Sequence, residues 1–127
     1  MNKKRIEDMI PRAIEAIKKI IAEDNRVYKE YKGYISSFGA SVIQSGLIPT
    51  IAFYENENAD SKGDRNKITK AILYVITDGV NIDDKLLDYV LNTKEEQRRV
   101  TKQKINDAAI AIKLAIRTFK IIDSEEK

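Results

Sequence analysis

Six cations near the carboxy terminus, Arg98, Arg99, Lys102, Lys113, Arg117 and Lys120, are the side chains whose types and spacing best suit a chemical task. On one continuous helix, at roughly 100° per residue, they fall within a band about 100° wide, a row able to track the phosphates of a nucleic-acid backbone. From Lys94 to Lys120 there are eight Lys/Arg against Glu95, Glu96 and Asp107, so the local balance, eight minus three, is +5, whereas the whole chain carries +3. The same row also fits an ordinary solvated helix face. If it does meet a nucleic acid, phosphate contacts should dominate, because base reading needs Asn, Gln or Arg forks or exposed aromatic platforms. Tyr28, Tyr31 and Tyr34 supply rings, but their helical spacing fits the edge of a core as well as a stacking surface.

A second cluster is acidic. Asp83, Asp84 and Asp88 stand near the start of an expected helix, and Asp84 with Asp88, four residues apart, could share a magnesium ion as in all-α nucleotide pyrophosphohydrolases. Such a site needs a second acidic pair on a facing helix, which the sequence does not offer. Acids in a first helical turn also satisfy exposed N–H groups and the helix dipole with no catalysis at all. Histidine and cysteine are absent, which removes disulfides, thiol nucleophiles, Cys/His zinc sites and the usual general base. No P-loop, GxGxxG, HExxH or serine-nucleophile elbow is present. No catalytic residue, metal ligand or cofactor is expected.

The elements that must position these residues read as helices. With 127 residues, 43% hydrophobic and 34% charged, a single all-α domain over 1–127 is expected, a compact bundle of five to six helices with a long C-terminal helix. No window approaches the roughly 18 apolar residues of a membrane span and no signal-type run follows Met1, so a cytoplasmic protein is expected. The first helix is predicted over Met9 to Asp24, either capped by Asp8 or longer and kinked at Pro11. The second runs from Val27 to Ser45 with Tyr31, Tyr34, Ile35, Phe38, Val42 and Ile43 facing inward, and Gly33 and Gly39 allowing a close neighbour. Gly46 stops it as a left-handed cap, and a short third helix starts at Leu47 or Ile48, with Pro49 in its first turn and Ile48, Ile51 and Ala52 inward. A polar surface loop covers about 55–64, and Asp64 opens a fourth helix from Arg65 to Thr77. A fifth runs from Ile82 or Asp83 to Leu91. Thr93 and Glu96 form a capping box for a last helix unbroken from Lys94 to Ile122, with no strand anywhere. That helix carries one apolar stripe, Ile105, Ala108, Ile112, Ala115, Phe119 and Ile122, and a second, Ile110, Leu114 and Ile121, that either packs centrally or meets another subunit.

The block from Tyr34 to Phe53, with Gln44-Ser45-Gly46-Leu47 and Thr50-Ile51-Ala52-Phe53 at its corner, resembles the small helical subunit of type III-B CRISPR effector complexes, the Cmr small-subunit family. The segment Lys104 to Ile112 followed by Ile116-Arg117-Thr118-Phe119 resembles that family's Ala-rich last helix. The chain departs from the pattern in having no tryptophan in that helix and in Pro49. The resemblance implies a five- or six-helix bundle without a catalytic residue, working in antiviral defence. It implies stacking with copies of itself and with other effector subunits in an inner filament, and a basic surface that helps hold the duplex of guide RNA (crRNA) and target RNA. A helical adaptor that recognises protein only, and a magnesium-dependent hydrolase, are the alternatives from other classes.

Overall fold

The computed structural model describes residues 2–56, 65–80 and 84–123. Among them, α1 spans Lys3–Ala16, α2 Lys29–Ser45, α3 Leu47–Tyr54, α4 Asn66–Ile76, α5 Leu86–Leu91 and α6 Arg98–Ala115. The fold is an all-α bundle in which α1, α4 and α6 pack most heavily on one another, with α2 laid against α6 and α3. Helix α4 is its most enclosed element, since every residue from Ile68 to Val75 except Lys70 is buried. Its neighbours contribute Ala13, Ile17 and Ile21 from the amino-terminal segment and Ile105, Ala108, Ile112 and Ala115 from α6, all essentially out of solvent.

Helix α1 is the longer of the two expected forms. Asn2, not Asp8, caps it, its side-chain oxygen accepting the Arg5 N–H at 3.0 Å. Pro11 lies mid-helix on the exposed side, where its missing N–H forgoes a bond to a solvent-facing carbonyl rather than a buried one. The helix then widens into a π turn over Ile17–Ile21, which turns both Ile17 and Ile21 into the core.

The corner between α2 and α3 forms around Gly46, whose φ of 93° and ψ of 163° lie in positive-φ space, extended rather than αL. Its N–H reaches the Val42 carbonyl at 2.9 Å to close α2, and its carbonyl accepts the Thr50 N–H at 3.3 Å to open α3. Because α3 begins at Leu47, its inward set is Leu47, Thr50, Ile51 and Tyr54, and Ala52 is exposed, contrary to expectation. Ile43 also departs from the predicted stripe, being 86% exposed. Gly33 and Gly39 face open space, so no neighbour presses on them.

Several expectations for the chain's second half are overturned. Helix α5 starts at Leu86, later than predicted, and its cap comes from a distant part of the chain: the Glu55 carboxylate accepts the Leu87 N–H at 3.3 Å. Glu55 therefore belongs to a packed corner rather than to the polar loop, most of which, like Asp64 and Asp83, lies outside the described residues. Thr93 makes no capping box, because its hydroxyl donates back to the Tyr89 carbonyl at 2.8 Å, and Lys94 precedes a 3-10 turn over Glu95–Gln97.

The last helix is not unbroken to Ile122. It passes at Ala115 into a 3-10 turn, Ile116–Thr118, and then into a strand, β2 (Lys120–Ile122), which pairs in parallel with β1 (Arg26–Tyr28) in register Val27 to Ile121. Extended Arg26 to Tyr28 needs partners for its backbone groups, and the β-branched Ile121-Ile122 supplies them while burying Val27 and Ile122. An ion pair between Lys29 and Asp123 closes the same end.

Candidate nucleic-acid interface

Helix α6 is fixed by its apolar side, and that orientation decides what its polar side presents. Its first stripe is buried as expected except for half-buried Phe119, whereas the second is the outer one: Ile110 and Ile121 are half-buried and Leu114 is 42% exposed. Arg99, Lys102, Lys113, Arg117 and Lys120 are all exposed, and none of them makes an ion pair with a described residue.

Arg98 differs from the other five. It is half-buried against the turn before α6, with Nη2 3.4 Å from the Thr93 carbonyl and Nε buried without a partner among the described residues. It braces that turn. Lys120 also departs from the helical row, since it stands on β2. Between Lys102 and Lys113 the same face carries half-buried Asn106 and buried Ala109, both bordering a groove against α2. The row is thus two groups rather than one continuous edge: Arg99 with Lys102, and Lys113 with Arg117 and Lys120. At 1.5 Å per residue, Arg99 and Lys113 stand about 21 Å apart along the axis.

The acid on α6 is directed elsewhere. Asp107 lies roughly 120° round the helix from Lys113, only 4% exposed, where its Oδ2 accepts from Arg5 Nη1 at 3.0 Å. This pair ties α1 to the middle of α6 and keeps the one carboxylate of that helix off the cationic face. Other basic residues are occupied as well. Glu15 takes both Arg12, at 3.1 Å, and Lys19, at 3.7 Å, while the Tyr74 hydroxyl donates to it at 2.7 Å and holds its carboxyl below the usual carboxylate range.

Of the acids singled out in the sequence, Asp83 lies outside the described residues. Asp84 and Asp88 are exposed and border an open polar cleft between α5 and α6 together with Lys85 and Lys104. Among the described residues no group of three acidic side chains converges. The tyrosines divide too. Tyr31 is buried and Tyr34 half-buried, the latter accepting the Tyr54 hydroxyl on its carbonyl at 2.6 Å, so both belong to the core edge. Sequence reasoning passed over Phe53, exposed on α3, and Arg65 stacked beside it. A large apolar residue at an outward position of a three-to-four pattern is the signal that could have found it.

A search of curated proteins and one of solved structures each return no match. The model of the family described as CRISPR-associated protein (Cas_Cmr5) matches residues 5–113, from the first turns of α1 to the last turn of α6 and so through the whole bundle. The chain therefore belongs to the Cmr5 family of CRISPR-associated proteins, small subunits of Cmr complexes.

Proposed function

We propose that the chain acts as a non-catalytic small subunit of a type III-B effector complex in the cytoplasm. It stacks with copies of itself beside the subunits that hold the guide, and offers α6 to the backbone of the guide–target RNA duplex. The observation that carries this reading is the acid-free face of α6, where Arg99, Lys102 and Lys113 are exposed and unpaired among the described residues while Asp107 is turned into its pair with Arg5. Cations held in a row without internal partners gain from phosphates what they lack within the protein, through counterion release. Arg117 and Lys120 extend that surface. Arg98, half-buried, supports it from behind.

Protein contacts fall to the neighbouring apolar surface. Ile43 and Ile110 border the groove between α2 and α6, and Leu114 stands one turn beyond Ile110. No helix among the described residues is long and apolar enough to cross a membrane, so such an apolar surface is better suited to a partner subunit.

The test is the salt dependence of RNA association by the assembled complex. Replacing Arg99, Lys102 and Lys113 by Ala in each copy should lower affinity and reduce the slope of log K against log salt by about two to three per copy engaged, at roughly 0.7–0.9 per phosphate contact. An unchanged slope refutes the assignment. Retained assembly with no RNA contact at this subunit would instead favour the adaptor reading.

A further inference from the structure

Arg65, just before α4, lies across two aromatic rings. Its guanidinium carbon is 4.6 Å from the ring centroid of Tyr34 and 5.2 Å from that of Phe53. Beside it Lys67 Nζ stands 5.9 Å from the ring centroid of Tyr31. Phe53 is 54% exposed, because α3 spends Ile51 and Tyr54 on the core and turns the ring between them outward. Arg65 makes no ion pair with a described residue. The arginine and the two rings border an open cavity of about 420 Å³ that Ser37 and Glu30 also line. Both carboxylate oxygens of Glu30 are buried and have no hydrogen-bond partner among the described residues. Its place in the first turn of α2 suits the helix dipole but gives those oxygens no donor.

This mixture of charges restricts what can enter. A phosphate would gain Arg65 but approach the buried carboxylate of Glu30, and a further cation would approach Arg65 and Lys67. A neutral, flat group meets neither penalty, and it finds a half-exposed ring, a guanidinium already laid flat beside aromatics and the Ser37 hydroxyl at its edge. Cations interleaved with aromatic side chains form the usual platform for single-stranded bases. We propose that this cavity takes an unpaired nucleobase of RNA, stacked on Phe53 and Arg65. The proposal rests on the reading that the chain meets RNA, but it concerns bases rather than phosphates and residues apart from the α6 row.

The chain contains no tryptophan, so Phe53→Trp in the full-length protein places a single indole in the platform, excited selectively over the tyrosines at the red edge of their absorption. The probes are a single-stranded hexa-adenylate and the same backbone with all six bases removed. The base-bearing strand should quench the indole and bind about tenfold more tightly than the abasic strand. Phe53→Ala should erase that difference without weakening the abasic strand and, the position being exposed, without altering the helical circular dichroism. Replacing Arg99, Lys102 and Lys113 by Ala should weaken both strands alike and keep their ratio, so failure of the row and failure of the platform are told apart. Equal binding of the two strands overturns the proposal, as does a tenfold preference that survives Phe53→Ala. Loss of Phe53→Ala protein from the assembled complex with unchanged strand binding would make the patch a protein contact, and also overturns it.

Discussion

The tie between Arg5 and Asp107 makes an asymmetric prediction about stability. Asp107 is 4% exposed and the Arg5 side chain 31%, with 3.0 Å between Nη1 and Oδ2. Removing the arginine leaves a carboxylate that is only 6% exposed without its charged partner; a fully buried pair broken this way costs about 3 kcal/mol, and with the Arg5 side chain 31% exposed about 2 kcal/mol is expected. Removing the charge from the acid has a smaller effect. In Asp107→Asn the amide oxygen still accepts from Arg5, and the guanidinium, already a third exposed, finds water for the rest of its donors, so about 1 kcal/mol is expected, the size of an ordinary hydrogen bond. The double variant Arg5→Ala/Asp107→Asn should regain part of the loss, since its remaining amide is cheaper to bury than a carboxylate. Urea unfolding followed by circular dichroism at pH 7 measures all four proteins, with a constant m-value confirming that midpoints report stability. If Asp107→Asn proves as damaging as Arg5→Ala, the cost comes from packing around residue 107 and the electrostatic reasoning is wrong.

Two other consequences are equally open to measurement. Burial raises the pKa of Glu55 above its reference value of 4.5, against the opposing pull of the Leu87 and Leu86 N–H groups; an acid raised on folding resists ionisation in the folded state, so its contribution falls as pH climbs from 4.5 through the folded value. The stability of the wild type relative to Glu55→Gln should therefore decline between pH 4 and pH 7, and a flat or rising difference would contradict this. Gly46→Ala should cost about 1–3 kcal/mol in thermal unfolding through backbone strain alone, since at φ 93° the nearest atom to a new Cβ, Pro49 Cδ, is an ordinary 3.7 Å away. Gly39→Ala, inside α2 with open space around it, should stabilise by about 0.5–1 kcal/mol; equal effects at the two glycines would refute the conformational explanation.

How far the sequence revealed this molecule depended on how local each determinant is. The inward stripe of α6 was legible because burial follows a 3.6-residue period, and the α2–α3 corner because Gly46 and Pro49 act on their own backbone. The strand pair was not legible: Arg26 to Tyr28 and Lys120 to Ile122 are three residues each, and neither is a strand without the other from the far end of the chain. The cap of α5 was misplaced for the same reason, since Glu55 supplies from outside what Asp83 and Asp84 seemed placed to give. In the candidate interface the identities of the exposed cations could be read, but the break in their row could not. It lies where Asn106 and Ala109 stand between Lys102 and Lys113 beside the groove against α2, and where the chain leaves the helix for β2 at Lys120.

The central claim, that the exposed face of α6 lies on RNA, is tested most directly by lysine-acetylation footprinting of the assembled complex with and without target RNA. Lys102 and Lys113 should be protected when target is bound, while Lys18, exposed on the π turn, keeps its reactivity. Unchanged modification of Lys102 and Lys113, or protection of Lys18 to the same degree, would contradict the account.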